Sequence, residues 1–248
     1  MRNHSRSEDL SHEFFYIPPD KISETRVFFG PNESRHIRRV LRHKKGDHIF
    51  ASDGKGSLYH LRIDSDDPRV VEAEILDRQK MEPDINFVLS VGILKGKRMD
   101  YVIEKSTELG VSCIIPMLTK NSVVKNLGGL RRIRLERIAM AAMKQSRSAW
   151  LPEIFDVESF DDVITGTQKY DLVLIAHPGG DWSPEDLLPS SVMIMVGPEG
   201  GFTDRELDEA IDRGVKLLDL GAHRLRSDTA AVVSLTRVMT LFERKGVN

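Results

Sequence analysis

Val192-Met193-Ile194-Met195-Val196 runs straight into Gly197-Pro198-Glu199-Gly200-Gly201-Phe202. An apolar run closed by a glycine turn reads as a strand buried on both faces, as in a parallel sheet. Thr203-Asp204-Arg205-Glu206 follows. Its spacing predicts a helix in which Thr203 caps the first turn and Glu206 reaches back, a capping box. Leu207, Ala210 and Ile211 are its expected buried face, and Gly214 its end. Val215–Leu220 then predicts a second strand, which delivers the chain into Gly221 and the polar run His223-Arg224-Leu225-Arg226-Ser227-Asp228-Thr229. Two strands that each end in a small-residue loop build a ligand site out of main-chain groups. The stretch Val192–Ala231 therefore decides the fold, and the rest of the chain reads as its support or as delivery of a substrate.

Upstream, Phe87–Leu94, Val111–Met117 and Leu172–Ala176 repeat the short apolar pattern, and helices are expected between them at about Met99–Leu109 and Leu130–Ser148. Strands alternating with helices at this spacing predict an α/β fold with a mostly parallel sheet. Ala231, Leu235, Val238 and Phe242 form one apolar stripe on a last helix beginning near Ser227, packed on the sheet or shared with a partner subunit. Before Asp77–Asn86 the pattern differs. Phe14–Ile17, Arg26–Phe29, His48–Ala51, Leu58–Ile63 and Val70–Leu76 are short strands bounded by Pro, Gly and Asp-Gly turns. A helix is expected from Asn32 to Leu41, with Ile37, Val40 and Leu41 inward. Residues 14–78 thus read as a small β-barrel with one basic helix, residues 84–248 as the α/β domain, and residues 1–13 as a loose tail.

At 248 residues the chain can bury a sizeable core. Its one cysteine, Cys113, excludes an internal disulfide framework and reads as a small core residue of a protein in a reducing cytoplasm. No run approaches a membrane span, and no metal site is expected. The net charge of −2 hides an asymmetry: Pro31–Lys45 carries six Lys or Arg against one acid, Glu33, while Pro152–Ser190 carries nine acids against one base, Lys169. A basic cluster on a near-neutral chain points to a polyanion bound at one surface. Arg35, Arg38, Arg39 and Arg42 are the candidates, with Arg131, Arg132, Arg134 and Arg137 a second patch. A solvated charged face is the plainer reading of each patch.

The turn Gly197–Gly201 lacks the lysine and glycine spacing of phosphate-binding loops and carries an acid, Glu199. That chemistry suits a neutral or cationic ligand, such as a sulfonium, better than phosphate. A purely structural turn, in which glycines supply positive φ, is the alternative.

Gly197-Pro198-Glu199-Gly200-Gly201-Phe202-Thr203 together with Leu220-Gly221-Ala222-His223-Arg224-Leu225-Arg226-Ser227-Asp228-Thr229-Ala230 closely resembles the signature of the RsmE family, bacterial small-subunit ribosomal RNA (uracil N3)-methyltransferases of the SPOUT class. His36–Arg42, Lys105–Val111 and Gln145-Ser146-Arg147 resemble further family segments in the same order. The resemblance implies a PUA-like barrel followed by a SPOUT domain with a C-terminal trefoil knot. It further implies S-adenosylmethionine in the knot loops, a homodimer, and ribosomal RNA or the small ribosomal subunit as partner. Carried over by position, the cofactor contacts are Ala176, His177, Gly197, Glu199, Gly201, Leu220, Leu225, Ser227 and Thr229. Arg226, Arg147 and Asp228 are the catalytic candidates, and Glu199 and His177 are further possible proton acceptors. The family pattern has glutamate where this chain has Asp228. An RNA-binding or assembly module without turnover, and a SPOUT enzyme acting on another RNA position, are the competing readings.

Overall fold

The computed structural model describes residues 13–65, 67, 69–83, 85–183 and 189–243. They form two compact units. One holds the described residues up to Glu82 together with Met143–Leu151, and the other holds those of Pro83–Ala142 and from Pro152 onward. The tail expected over residues 1–13 lies outside the described residues except for Glu13.

In the first unit, β1 (Phe14–Tyr16), β2 (Arg26–Phe28), β3 (His48–Ser52), β4 (Ser57–Ile63) and β5 (Glu72–Lys80) form one sheet in the order β1-β3-β4-β5-β2. β1 is parallel to β3 and the other pairs are antiparallel. The period of two along β4 buries Tyr59, Leu61 and Ile63 and turns Arg62 outward. Those residues join Phe15, Ile17, Val27, Ile37 and Ile49 in one core. β5 continues to Lys80, past the expected strand end at Leu76. The added four residues, Asp77–Lys80, are polar and exposed, so they read as linker although their main chain pairs with β4.

Helix α1 (Pro31–Arg35) runs into a single π-helical turn, His36–Val40. The wider turn keeps Ile37 buried and Leu41 against the core but swings Val40 to 61% exposure, so the expected inward face loses its middle member.

Met143–Leu151 belongs to this unit rather than to the α/β domain expected over 84–248. Its hold is main-chain. Gly56 N–H donates to Ala149 O at 2.9 Å, Leu151 N–H donates to Gly54 O at 3.1 Å, and Ser52 Oγ donates to Ala149 O at 3.0 Å. Gly56 has φ +98°, and the Trp150 ring lies where its Cβ would stand.

The second unit contains β6 (Asn86–Gly92), β7 (Cys113–Leu118), β8 (Glu153–Ile154), β9 (Glu158–Ser159), β10 (Leu172–Ala176), β11 (Ser191–Val196) and β12 (Lys216–Leu218). Their order is β12-β10-β11-β6-β7-β8, with β9 beside β7, and every pair is parallel. The helices are α2 (Lys97–Glu108), α3 (Gly129–Ser146, whose last turn belongs to the first unit), α4 (Phe160–Thr165), α5 (Asp204–Asp212) and α6 (Ser227–Glu243). Both sheet faces are covered, which explains the unbroken apolar strands. Val88, Met117, Val173, Met193 and Met195 pack with Phe160 and Val163 of α4 and Leu207 and Ala210 of α5. Cys113 packs half-buried beside this core, and burial pushes its thiol up to about 12.

Ala231, Leu235, Val238 and Phe242 are all buried, and α6 packs on α2, β6, β10 and β11. The stripe therefore faces the sheet of its own chain. Ile211 departs from expectation at 48% exposure. It lies about 100° round the helix from Ala210, which takes the inward position with Leu207.

Candidate functional site

A cavity of about 750 Å³ opens beyond the carboxyl ends of β10, β11 and β12. Its size falls within the roughly 300–1,000 Å³ of small-molecule sites. Like ligand sites of open parallel sheets, it lies outside the carboxyl ends of the strands, here on the β12-β10-β11 side of the sheet.

Three loops wall it. The first leaves β10 at Ala176 and His177. His177 N–H donates to Leu218 O at 3.0 Å and Trp182 N–H donates to Leu217 O at 3.0 Å, so this loop lies along the end of β12. Gly180 permits the approach, since a Cβ there would stand 2.5 Å from Leu217 O.

The second is the glycine turn. Gly201 takes φ +67°, and its N–H donates to Pro198 O at 2.8 Å. Gly92, at the end of β6, lies under this turn, where a Cβ would meet Pro198 N at 2.4 Å. The capping box forms on α5: Glu206 Oε2 accepts from Thr203 N–H at 2.8 Å and Thr203 Oγ1 accepts from Glu206 N–H at 3.3 Å. Glu206 does more than cap. Its Oε1 accepts from Lys120 N–H at 2.8 Å, and Asn121 Nδ2 donates to Gly200 O at 3.0 Å, so the loop after β7 is tied to the glycine turn.

The third loop follows β12. Gly221 takes φ +114°, its N–H donates to Asp219 Oδ1 at 2.9 Å, and Arg237 of α6 donates to Asp219 O at 2.7 Å. Among the described residues the main-chain groups of Leu220 and Leu225 make no main-chain hydrogen bond, which leaves them open to a ligand.

Ala176, His177, Gly197, Glu199, Gly201, Leu220, Leu225, Arg226 and Ser227 all line this cavity. Thr229 does not; it is exposed on the first turn of α6. Asp228 is not a lining residue either. Its Oδ1 is buried and meets no donor among the described residues, a state that costs about 1–3 kcal/mol. Arg226 is exposed and forms no ion pair with Asp228 or Glu199. Arg147 belongs to the first unit, takes the left-handed φ of 54°, and is not a lining residue.

Arg98 of α2 does line the cavity, a residue that no sequence motif had marked. It donates from Nη1 to Glu199 Oε1 at 3.2 Å, and Lys95 N–H donates to the same oxygen at 3.3 Å. The two residues lie 101 positions apart, beyond the reach of any local pattern.

The lining combines the carboxylates of Glu199 and Asp219, the guanidinium groups of Arg98, Arg224 and Arg226, unspent main-chain donors and acceptors, and the apolar Val196, Leu225 and Ala230. This set fits a sulfonium-bearing nucleoside: carboxylate for cation, main chain for an adenine edge, apolar walls for a ring.

The basic residues divide by engagement. Arg35, Arg39 and Arg42 are exposed and form no ion pair among the described residues. Arg38 turns inward: its guanidinium donates to His43 O at 2.9 Å and to Ser65 O. In the second unit Arg131 donates to Leu94 O at 2.7 Å, Arg132 pairs with Glu136 and Asp156, and Arg134 pairs with Asp100 at 2.5 Å. Of the second patch only Arg137 stays exposed without such a partner among the described residues.

Residues 81–239 match the family model described as RNA methyltransferase domain, and residues 29–76 match the RNA methyltransferase PUA domain. Ribosomal RNA small subunit methyltransferase E of Aquifex aeolicus is 30% identical over 214 residues, 85% of this chain and 92% of that protein. The Bacillus subtilis protein of the same name is 28% identical over 241 residues, 91% and 94% of the two chains. The crystal structure of ribosomal RNA small subunit methyltransferase E from Neisseria gonorrhoeae bound to S-adenosyl methionine superposes with a TM-score of 0.83 at 28% identity, covering 93% of this chain and 98% of that one. With family models over both units and relatives that align along nearly its whole length, this chain belongs to the RNA methyltransferase family of ribosomal RNA small subunit methyltransferase E.

Proposed function

We propose that this chain transfers a methyl group from S-adenosylmethionine to N3 of a uridine in small-subunit ribosomal RNA. The observation that carries the reading is the cavity where β10, β11 and β12 end, walled by glycine turns and open main-chain groups, in a chain of this family. When bound, the cofactor supplies an electrophilic methyl on a sulfonium sulfur. Leu220 and Leu225 would offer it main-chain groups, Gly197 and Gly201 would allow close approach, and the Glu199 carboxylate would favour its positive charge.

Uracil N3 carries a proton on the pairing edge. The base must therefore leave its stack, and the proton must leave before N3 becomes nucleophilic. A fixed cation lowers that barrier by holding the charge that develops on the ring. Arg226 lines the cavity without a carboxylate partner among the described residues and is the proposed cation. His177 lines the same cavity and is a candidate proton acceptor.

The exposed Arg35, Arg39 and Arg42 of the barrel unit hold the RNA backbone in this reading. The barrel, residues 14–78, delivers RNA to the SPOUT domain, which takes residues 84–248 apart from Met143–Leu151. The loops around the cavity form the trefoil knot, and a homodimer in the cytoplasm brings Arg147 of one subunit to the site of the other.

The test is labelled methyl transfer to small-subunit RNA and particles by the parent and by Arg226→Ala. A loss of roughly 10²-fold in rate at unchanged cofactor affinity is expected. Parent-like transfer by the variant would remove Arg226 from the chemistry.

A further inference from the structure

We infer that Arg98 is a second catalytic cation for the imide step and that Glu199 is its positioning residue. The inference rests on uridine N3 methylation as the reaction.

Arg98 stands on the first turn of α2 and lines the same cavity as Arg226. Its side chain is 39% exposed, open enough to meet a substrate. One Nη1 hydrogen bond to Glu199 Oε1 fixes it. A guanidinium has five N–H donors in a planar fork, so most remain to be directed at a ligand. Glu199 is itself fixed, because the same oxygen accepts Lys95 N–H at 3.3 Å, just before the helix. The glycine turn and the start of α2 are thus joined by one carboxylate, and the guanidinium is placed by the turn that forms the cavity wall.

The chemistry needs such a group. The N3–H bond breaks and the proton passes to an acceptor in the cavity, for which His177 is the candidate. The negative charge left on the ring spreads from N3 to the flanking carbonyl oxygens. The N3 electron pair then forms the N–CH3 bond while the methyl's bond to sulfur breaks toward sulfur. Charge therefore builds on a carbonyl oxygen before the methyl arrives. A guanidinium is suited to that oxygen, because it keeps its charge at working pH and donates in the ring plane. Arg226 alone can serve one side of the imide, whereas the imide has a carbonyl on each side of N3.

The test compares the parent, Arg98→Ala, Arg98→Lys and Glu199→Gln in single-turnover methyl transfer. The substrates are small-subunit RNA transcribed with uridine and the same RNA transcribed with 5-fluorouridine, whose fluorine makes N3–H more acidic. Arg98→Ala is expected to lose about 10²-fold on uridine RNA, to shift its pH–rate curve toward alkaline pH, and to recover most of the loss on the fluorinated RNA. Its affinity for S-adenosylmethionine, measured by calorimetry, is expected to stay near the parent value, which also reports a folded site. Arg98→Lys and Glu199→Gln are expected to show smaller losses with the same rescue. Equal loss on both RNAs, or a loss confined to cofactor affinity, would overturn the assignment. A parent that methylates while Arg98→Ala matches it removes this inference alone. A parent that methylates neither RNA removes the proposed function, and this inference with it.

Discussion

Gly92→Ala puts one methyl group beneath the glycine turn. The added Cβ would stand 2.4 Å from Pro198 N and 2.5 Å from Pro198 Cδ, against 3.4 Å for ordinary contact, so something must move by about 1 Å. Neither partner yields easily. The atoms met are main chain and a proline ring, so no rotamer relieves the contact. The strands on either side are held in register, Val91 opposite Val196. Overpacking of this kind costs about 1–3 kcal/mol. Because the atom displaced is the start of the cavity wall, a similar loss is expected in cofactor affinity, about 5–140-fold at 1.4 kcal/mol per decade. Urea unfolding and calorimetric titration with S-adenosylmethionine read the two losses. A variant with parent stability and with affinity within twofold would refute the close approach of β6 to the turn.

Other outcomes follow from single contacts. Arg38→Gln is expected to lower stability by about 1–3 kcal/mol, because two carbonyls lose a charged donor, while Arg39→Gln and Arg42→Gln instead flatten the salt dependence of RNA binding; the reverse pattern in urea and filter-binding titrations would contradict the assignment. Cys113, its thiol pushed up to about 12 by burial, is expected to resist alkylation at pH 8 in the folded protein and to react on unfolding, as mass spectrometry with iodoacetamide would show. The Asp171 carboxyl is held below its ordinary value, first by the hydroxyl of Ser190 and then by main-chain N–H groups and Ser191. A depressed folded value gives stability that is present above the unfolded value and is lost as pH falls through the folded one. Asp171→Asn is therefore expected to lose stability at neutral pH and to show a shallower acid-side decline in melts from pH 7 to 3, and an unchanged profile would remove the linkage.

What was legible in the sequence was whatever a local period or a short-range pairing controls. The parallel sheet showed in apolar runs because both faces are covered. The capping box showed because Thr203 and Glu206 lie one turn apart, and the stripe on α6 showed because its burial repeats with the helix. The departures come from long-range contacts. Met143–Leu151 joins the first unit through main-chain bonds to Gly54 and Gly56, which leave no side-chain signature. Val40 was misplaced because a π-helical turn has no marker in composition. Arg38 looked like its neighbours, and only the carbonyls it meets distinguish it. Arg98 was missed because its meaning depends on Glu199, far along the chain.

The central claim is that this cavity directs a methyl group to N3 of one uridine. It is tested most directly by incubating the protein with S-adenosylmethionine carrying a deuterated methyl and with small ribosomal subunits, then identifying labelled nucleosides by mass spectrometry. The expected result is a single labelled product, 3-methyluridine, lost in Arg226→Ala. Label on a ribose oxygen, on another base, or nowhere in the RNA would contradict it.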